Sequence, residues 1–317
     1  DFPTIPKFDH LKTNIEERGK SAFLTIQEGC DKFCTFCVVP YTRGSEYSRP
    51  LSSIMDEARK LIDVGVREIT LLGQNVNAWN SNGLDNKTWG LGKLIDELAK
   101  IKELKFIRYT TSHPLDMDIE LIKSHRDNKK LMPYLHLPAQ SGSDYVLKMM
   151  NRKHTAKEYL KIIETVRYYN PKIAISGDFI VGFPGETDKD HNSTLSLIKQ
   201  VNYAQAYSFK YSKRPGTPGS VFLNQVSEDT KNYRLFEVQE LLRSQQLSFN
   251  KKTINSNMEV LVLKKGKKKN QYLGRSPFNQ SVYFSHKNEN LIGSIINLNI
   301  TEAFQNSLTG NIVFNFQ

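Results

Sequence analysis

Cysteine is nearly absent from this chain. There are three in 317 residues, all within EGCDKFCTFCVVPYTRG, residues 28 to 44. So small and odd a number excludes a disulfide framework of the secreted kind and reads as a reduced, cytoplasmic protein. Long apolar runs are lacking too. No stretch of 18 apolar residues occurs, and the opening DFPTIPKFDHLKTN has no charged-then-apolar leader, so neither a membrane span nor a signal segment is expected. An initiator Met is also lacking. The polar, Pro-containing start reads as a linker over residues 1–20, following a domain expected upstream.

What is present in excess is positive charge, a formal +11, and it is unevenly spread. From Lys251 to Gln317 nine Lys or Arg face three Glu, whereas the first 250 residues are nearly balanced. The tail is a separate electrostatic object. Its centre is KKGKKKN at 264–270, lying between two expected strands and so projecting as a loop of five lysines. Such a run is either a solvated turn or a contact for nucleic-acid phosphate. Nearby Tyr272, Phe278, Tyr283 and Phe284 favour nucleic acid, although alternation in SVYFS buries one of Tyr283 and Phe284.

From residue 21 to about 250, short β-rich runs alternate with amphipathic ones. Strands are expected at 22–29, 67–75, 105–111, 134–140, 174–183 and 203–212, each followed by a helical pattern. In SSIMDEARKLIDVG, Ile54, Ala58, Leu61 and Ile62 fall on one face, with Ser as the start and Gly65 as the stop. Six βα units imply parallel strands with right-handed crossovers. A covering helix follows Ser227, with Leu235, Val238, Leu241 and Leu242 as its apolar stripe. Five short strands end the chain. The expected fold is α/β: a partial (βα)6 barrel over 21–250, then a small all-β OB-like domain over 251–317.

Cys30, Cys34 and Cys37 follow the first strand. Three thiolates on one loop can hold three irons of a 4Fe-4S cube, leaving the fourth iron open to an exogenous ligand. Zinc prefers four protein donors, and no second pair of cysteines exists. His10, His113 or His136 could complete such a site, so zinc and plain buried thiols stay as alternatives.

Cys-x3-Cys-x2-Cys, with Phe36 just before the third cysteine, resembles the signature of the radical S-adenosylmethionine (SAM) superfamily. The resemblance implies SAM ligating the open iron and reductive cleavage to a 5′-deoxyadenosyl radical. It also implies a partial barrel whose site lies at the C-terminal strand ends. By the same resemblance, Gly73, Gln74 and Asn75 in LLGQN lie near the SAM amino group, and Gln140 and Ser141 in LPAQSGS near the ribose. Gly182, Gly185 and Glu186 in DFIVGFPGE lie near the adenine. Glu186 could instead cap the next helix, while Arg43 and Arg214 have no settled role.

GCDKFCTFCVVPYTRGSEYSRP, ITLLGQNVNAW, TTSHP, LHLPAQSGSDYVLKMMNRKHT and YSKRPGTPG are similar to the methylthiotransferase family, of the type acting on N6-dimethylallyladenosine in tRNA. This implies a methylthio group added to C2 of adenosine 37, the tRNA anticodon stem-loop as partner, and a flavodoxin or ferredoxin as electron donor. It implies a second 4Fe-4S cluster on three cysteines of an N-terminal domain, none of which these residues contain. It implies too that the tail is a TRAM domain gripping RNA, with Lys264, Lys265, Lys267, Lys268, Lys269 and Arg275 as contacts. The alternatives are action on threonylcarbamoyl-adenosine or a ribosomal-protein aspartate, or an RNA-binding protein with a structural metal.

Overall fold

In a computed structural model of the protein, residues 19–287 and 290–313 are described. The expected linker over 1–20, apart from its last two residues, and His10 lie outside them. In chain order the elements begin β1 (Ser21–Thr25), β2 (Gln27–Glu28), α1 (Val39–Arg43), β3 (Tyr47–Ser48), α2 (Leu51–Asp63), β4 (Glu68–Leu72), β5 (Asn80–Asn82), β6 (Thr88–Gly90), α3 (Leu91–Ala99), β7 (Phe106–Tyr109) and α4 (Ile119–Asp127). They continue β8 (Tyr134–His136), α5 (Asp144–Met149), α6 (Ala156–Tyr169), β9 (Ala174–Val181), α7 (Asp188–Val201), β10 (Gln205–Lys210) and α8 (Glu228–Lys251). Last come β11 (Asn257–Lys265), β12 (Gln271–Arg275), β13 (Ser281–Ser285), β14 (Ile295–Ala303) and β15 (Ser307–Ile312).

Two parallel three-stranded sheets, β1-β4-β7 and β8-β9-β10, are joined by a parallel bridge between Ile107 and Leu131. The result is one six-stranded arc. Among the described residues β1 and β10 do not pair, so the arc stays open as the six-unit count implied. Side chains alternate across the pleat. Leu24, Ile69, Leu71, Ile107, Leu135, Ile175 and Phe179 pack outward against the helices in one core. Fully burying each such side chain contributes on the order of 1.5–3 kcal/mol. The other face of the arc carries Glu68, Arg108, His136, Ser176 and Asp178.

Local signals explain the helices with one exception. Ile54, Ala58, Leu61 and Ile62 are buried as their spacing requires, and Gly65, at φ +91°, donates its N–H to Ile62 to end the turn. No serine caps α2, however: Pro50 precedes its first residue and no side-chain cap forms. Reciprocal capping boxes, Thr155 with Glu158 and Thr187 with Asp190, start α6 and α7.

The tail forms a closed five-stranded barrel in the order β11-β12-β13-β15-β14. It packs beneath the N-terminal ends of the arc strands, where Leu261 meets Phe106 and Met132. A buried ion cluster locks the joint. Glu68 Oε2 accepts from Arg108 Nε at 2.7 Å and Glu68 Oε1 from Arg275 Nη1 at 2.6 Å. Arg108 then donates to the carbonyls of Ser276 and Pro277. Burial pushes the Glu68 carboxyl up, but Arg108 and Arg275 outweigh it and hold the group below its usual range.

Candidate active site at the C-terminal strand ends

The three cysteines lie on the segment leaving β2, and the short β2–β3 pairing closes the base of their loop. Gly29 is required there: at φ +74° a Cβ would sit 2.0 Å from the Ser45 carbonyl oxygen. Four neighbouring segments hold the loop. From the end of β4, Gln74 Oε1 accepts from Gly29 N–H at 2.7 Å. Gln27 donates to the Gly29 carbonyl at 2.7 Å and accepts from Asn75 N–H at 2.9 Å. Asn75 Nδ2 donates to Glu46 and Asp116, and Lys32 pairs with Asp116 at 2.8 Å. From behind, Thr35 bonds the carbonyls of Met149 and Met150. Asn151 Nδ2 donates to the Lys32 and Phe33 carbonyls, and Arg152 Nη1 points at Cys34 Sγ, 3.6 Å away. Finally, Gly219 N–H donates to the Thr35 carbonyl at 2.8 Å.

The donor chemistry fits an iron-sulfur cube. Among the described residues no three His, Cys, Asp or Glu are gathered tightly enough for a single ion, while one loop presents three thiols. His113 and His136 do not complete a zinc site: His113 caps a short turn, and His136 bonds Ser176 at 2.9 Å and faces Asp178 at 3.4 Å. Burial pushes the Cys30 thiol up to about 11 and raises Cys37 as well, so thiolates at these positions call for a positively charged iron partner. Phe36 packs with Val146, Met150, Phe183 and Tyr211, an apolar wall of the kind that excludes water from a cluster.

A second observation points to a polar ligand at this end. Several buried polar atoms have no hydrogen-bond partner among the described residues, among them Asn75 Oδ1, Ser112 Oγ, His113 Nε2, Glu186 Oε1 and Tyr211 OH. These five follow β4, β7, β9 or β10 at their C-terminal ends. Buried polar groups rarely stay unpaired, so together they describe a site that a polar molecule completes.

Several of the residues named by resemblance are bonded within the protein. Gln74 is occupied with the cysteine loop. Gly73 permits a close approach to Gln27, whose side chain a Cβ would meet at 2.6 Å. Ser141 is fully buried and bonded to Thr194 and the Ser143 N–H, so its hydroxyl does not face a ribose. Gln140, at φ +73°, has both backbone groups paired with β9. Glu186 neither caps α7 nor lies open. It accepts from Gly182 N–H at 2.5 Å and Arg234 at 2.9 Å, with burial raising its carboxyl pKa, and so fixes the turn carrying Gly182 and Gly185. Arg43 pairs loosely with Glu28, and Arg214 is exposed.

In the small barrel Lys264, Lys265, Lys267, Lys268 and Lys269 are all exposed and have no carboxylate partner among the described residues. Arg275 belongs to the joint with Glu68 instead of this face. Tyr272 and Phe284 are buried and stacked on each other, so these two are core and not base-stacking surfaces, while half-buried Phe278 packs edge-on against Phe249.

A Radical SAM superfamily model matches residues 24–198, and a TRAM domain model matches 251–313. A tRNA-2-methylthio-N(6)-dimethylallyladenosine synthase from Agrobacterium fabrum is 56% identical over 98% of this chain, which spans 69% of that relative's length. The chain belongs to the radical SAM methylthiotransferase family. Its cofactors as a radical SAM methylthiotransferase are a 4Fe-4S cluster and SAM. Solved structures agree in fold alone. A radical SAM methyltransferase from Kitasatospora setae superposes with TM-score 0.52 at 16% identity, over 64% of this chain and 39% of that one. A methylornithine synthase gives 0.50 at 13% identity, over 72% and 63%. No helix among the described residues of this radical SAM protein is long and apolar enough to cross a membrane.

Proposed function

We propose that the chain is the catalytic and RNA-binding portion of an enzyme that places a methylthio group on C2 of N6-dimethylallyladenosine at position 37 of tRNA. The observation that carries this reading is the 56% identity to a synthase of that name across nearly the whole chain. Cys30, Cys34 and Cys37 would hold three irons, with the fourth free for SAM. When bound, cluster and SAM supply a one-electron cleavage that yields a radical able to remove hydrogen from an unactivated carbon. The protein's share is positional. Gln27, Gln74 and Asn75 fix the thiol loop, Glu186 and Arg234 fix the glycine turn proposed for the adenine, and Phe183 and its neighbours keep water out. The exposed lysines take the phosphates of the anticodon stem-loop, and a small reducing protein such as a flavodoxin or ferredoxin supplies the electron.

Anaerobic reconstitution with iron and sulfide, then dithionite and SAM, tests the chemistry: 5′-deoxyadenosine should form, and should form faster with an anticodon stem-loop bearing dimethylallyl-adenosine than with one bearing threonylcarbamoyl-adenosine. A reversed preference would overturn the proposed substrate.

A further inference from the structure

The end of α5 and the turn after it, Met149–Arg152, touch the cysteine loop at four consecutive residues, Lys32 to Thr35. Thr35 N–H and Oγ1 donate to the Met150 and Met149 carbonyls at 3.1 and 2.8 Å. Asn151 Nδ2 spans the Lys32 and Phe33 carbonyls at 3.2 and 2.9 Å. Both segments are wound for the contact, since Phe33 has φ +49° and Asn151 φ +60°. The last contact differs in kind: Arg152, 5% exposed, sends Nη1 toward Cys34 Sγ at 3.6 Å while Nη2 is tied to the Pro138 carbonyl at 2.8 Å. No carboxylate pairs with Arg152 among the described residues. A buried guanidinium without an anionic partner is costly, and the group it faces is the Cys34 sulfur, which is anionic when it ligates iron.

We infer that Arg152 is a positioning residue for the cluster: it holds Cys34 by a charge-assisted N–H···S contact and, as a fixed cation, raises the potential at which the cluster accepts its electron. The inference rests on Cys34 being a cluster ligand. A positive charge beside a cluster favours the reduced form, which carries one more negative charge, and hydrogen bonds to ligand sulfur act in the same direction. His113 and His154 flank the site with rings 6.0 Å apart and burial lowers both imidazoles. Lys32, in the same loop, is paired with Asp116 at 2.8 Å, so among the described residues Arg152 is the buried cation at Cys34 without a carboxylate.

The test is an anaerobic potentiometric titration, followed by electron paramagnetic resonance, of the reconstituted full chain and its variants. Arg152→Met is expected to lower the reduction equilibrium about tenfold, about 59 mV for a one-electron couple. Arg152→Lys should recover at least half of that shift. Asn151→Gly, which keeps the backbone conformation and the cation but deletes the bonds to Lys32 and Phe33, should leave the potential within about twofold of wild type. An unchanged potential in Arg152→Met, or an equal shift in Asn151→Gly, overturns the assignment. If Arg152→Met folds but retains no iron, retention restored by Lys supports it, and loss in both variants reduces Arg152 to a clamp. Full four-iron loading by Cys34→Ala would overturn the ligand assignment itself.

Discussion

Gln27 shows how much one residue can carry at the mouth of the arc. It has no exposed surface and serves Glu28, Gly29 and Asn75 at once. Gln27→Leu leaves the Gly29 carbonyl and Asn75 N–H unmet, at about 1–3 kcal/mol for each unsatisfied group. Urea unfolding should show the loss, and iron retained on reconstitution should fall with it. His125 gives the pH counterpart. Burial holds its imidazole down to about 3, with Nε2 bonded to the Tyr109 hydroxyl at 2.7 Å. Below pH 6.5 the unfolded chain takes up a proton that the fold refuses. Stability is therefore whole above pH 6.5 and falls by up to about 1.4 kcal/mol per pH unit toward pH 3. His125→Gln should make the loss of thermal stability between pH 7 and 5 less steep, the remaining slope coming from the other buried histidines, His113 and His154. At this scale the sequence exposes ligand chemistry and hides partnership. The cysteine spacing is local, so it is readable. Gln74 serves Gly29, 45 residues away, and nothing local distinguishes that duty from contact with a cofactor. Arg152 lies in the MNRKHT stretch that marked the family, yet its role exists only once α5 turns back on the loop.

Helices were legible where their burial is one-sided, and strands from β-rich runs even where both faces are buried, as in β4 and β7. Five of the six arc strands lie within the expected spans and β1 starts one residue early, because β-rich runs followed by amphipathic ones leave few other packings. The hairpin of β5 and β6, polar and short, gave no such signal. On α8, Val238 and Leu242 are buried as the stripe requires, but so are Lys231, Arg234, Gln245 and Asn250. Those polar residues pair with Glu228, Glu186, Tyr203 and Phe304, and this is why the helix looks only weakly amphipathic. The joint between arc and small barrel invites a comparison of two arginines. Glu68→Gln leaves Arg108 and Arg275 facing each other without a counter-charge, at about 3–5 kcal/mol. Arg275→Ala should lower the melting temperature less, because Arg275 keeps 31% of its side chain in solvent. It should also leave the salt dependence of RNA binding unchanged. Neutralising the five lysines should do the reverse: stability holds, and the slope of log K against log salt shallows by about 0.7–0.9 for each phosphate that is no longer neutralised. Filter binding of an anticodon stem-loop across a salt series separates the two.

The whole molecule is legible as two parts, one with the thiols and one with the lysines, because composition changes sharply near residue 250. Their relation was not. Nothing local set Glu68 and Arg108 apart and Arg275 was expected at RNA, and only contact across some 200 residues shows the three to be a fastening. That fastening seats the small barrel under the strand beginnings, while the cysteine loop opens at the strand ends. A strand of five residues such as β1 therefore stands between them, about 17 Å at the usual rise. The arc is in effect a ruler. A nucleoside that reaches the thiol end cannot also feel the lysines, whereas a structured RNA can rest on one end and present a base at the other. SAM cleavage should thus respond to a free modified nucleoside weakly and without salt dependence. Hairpins of increasing stem length should gain both affinity and salt sensitivity in a step, at the length that first spans the ruler, and a smooth rise from the nucleoside upward would show that no such gauge operates.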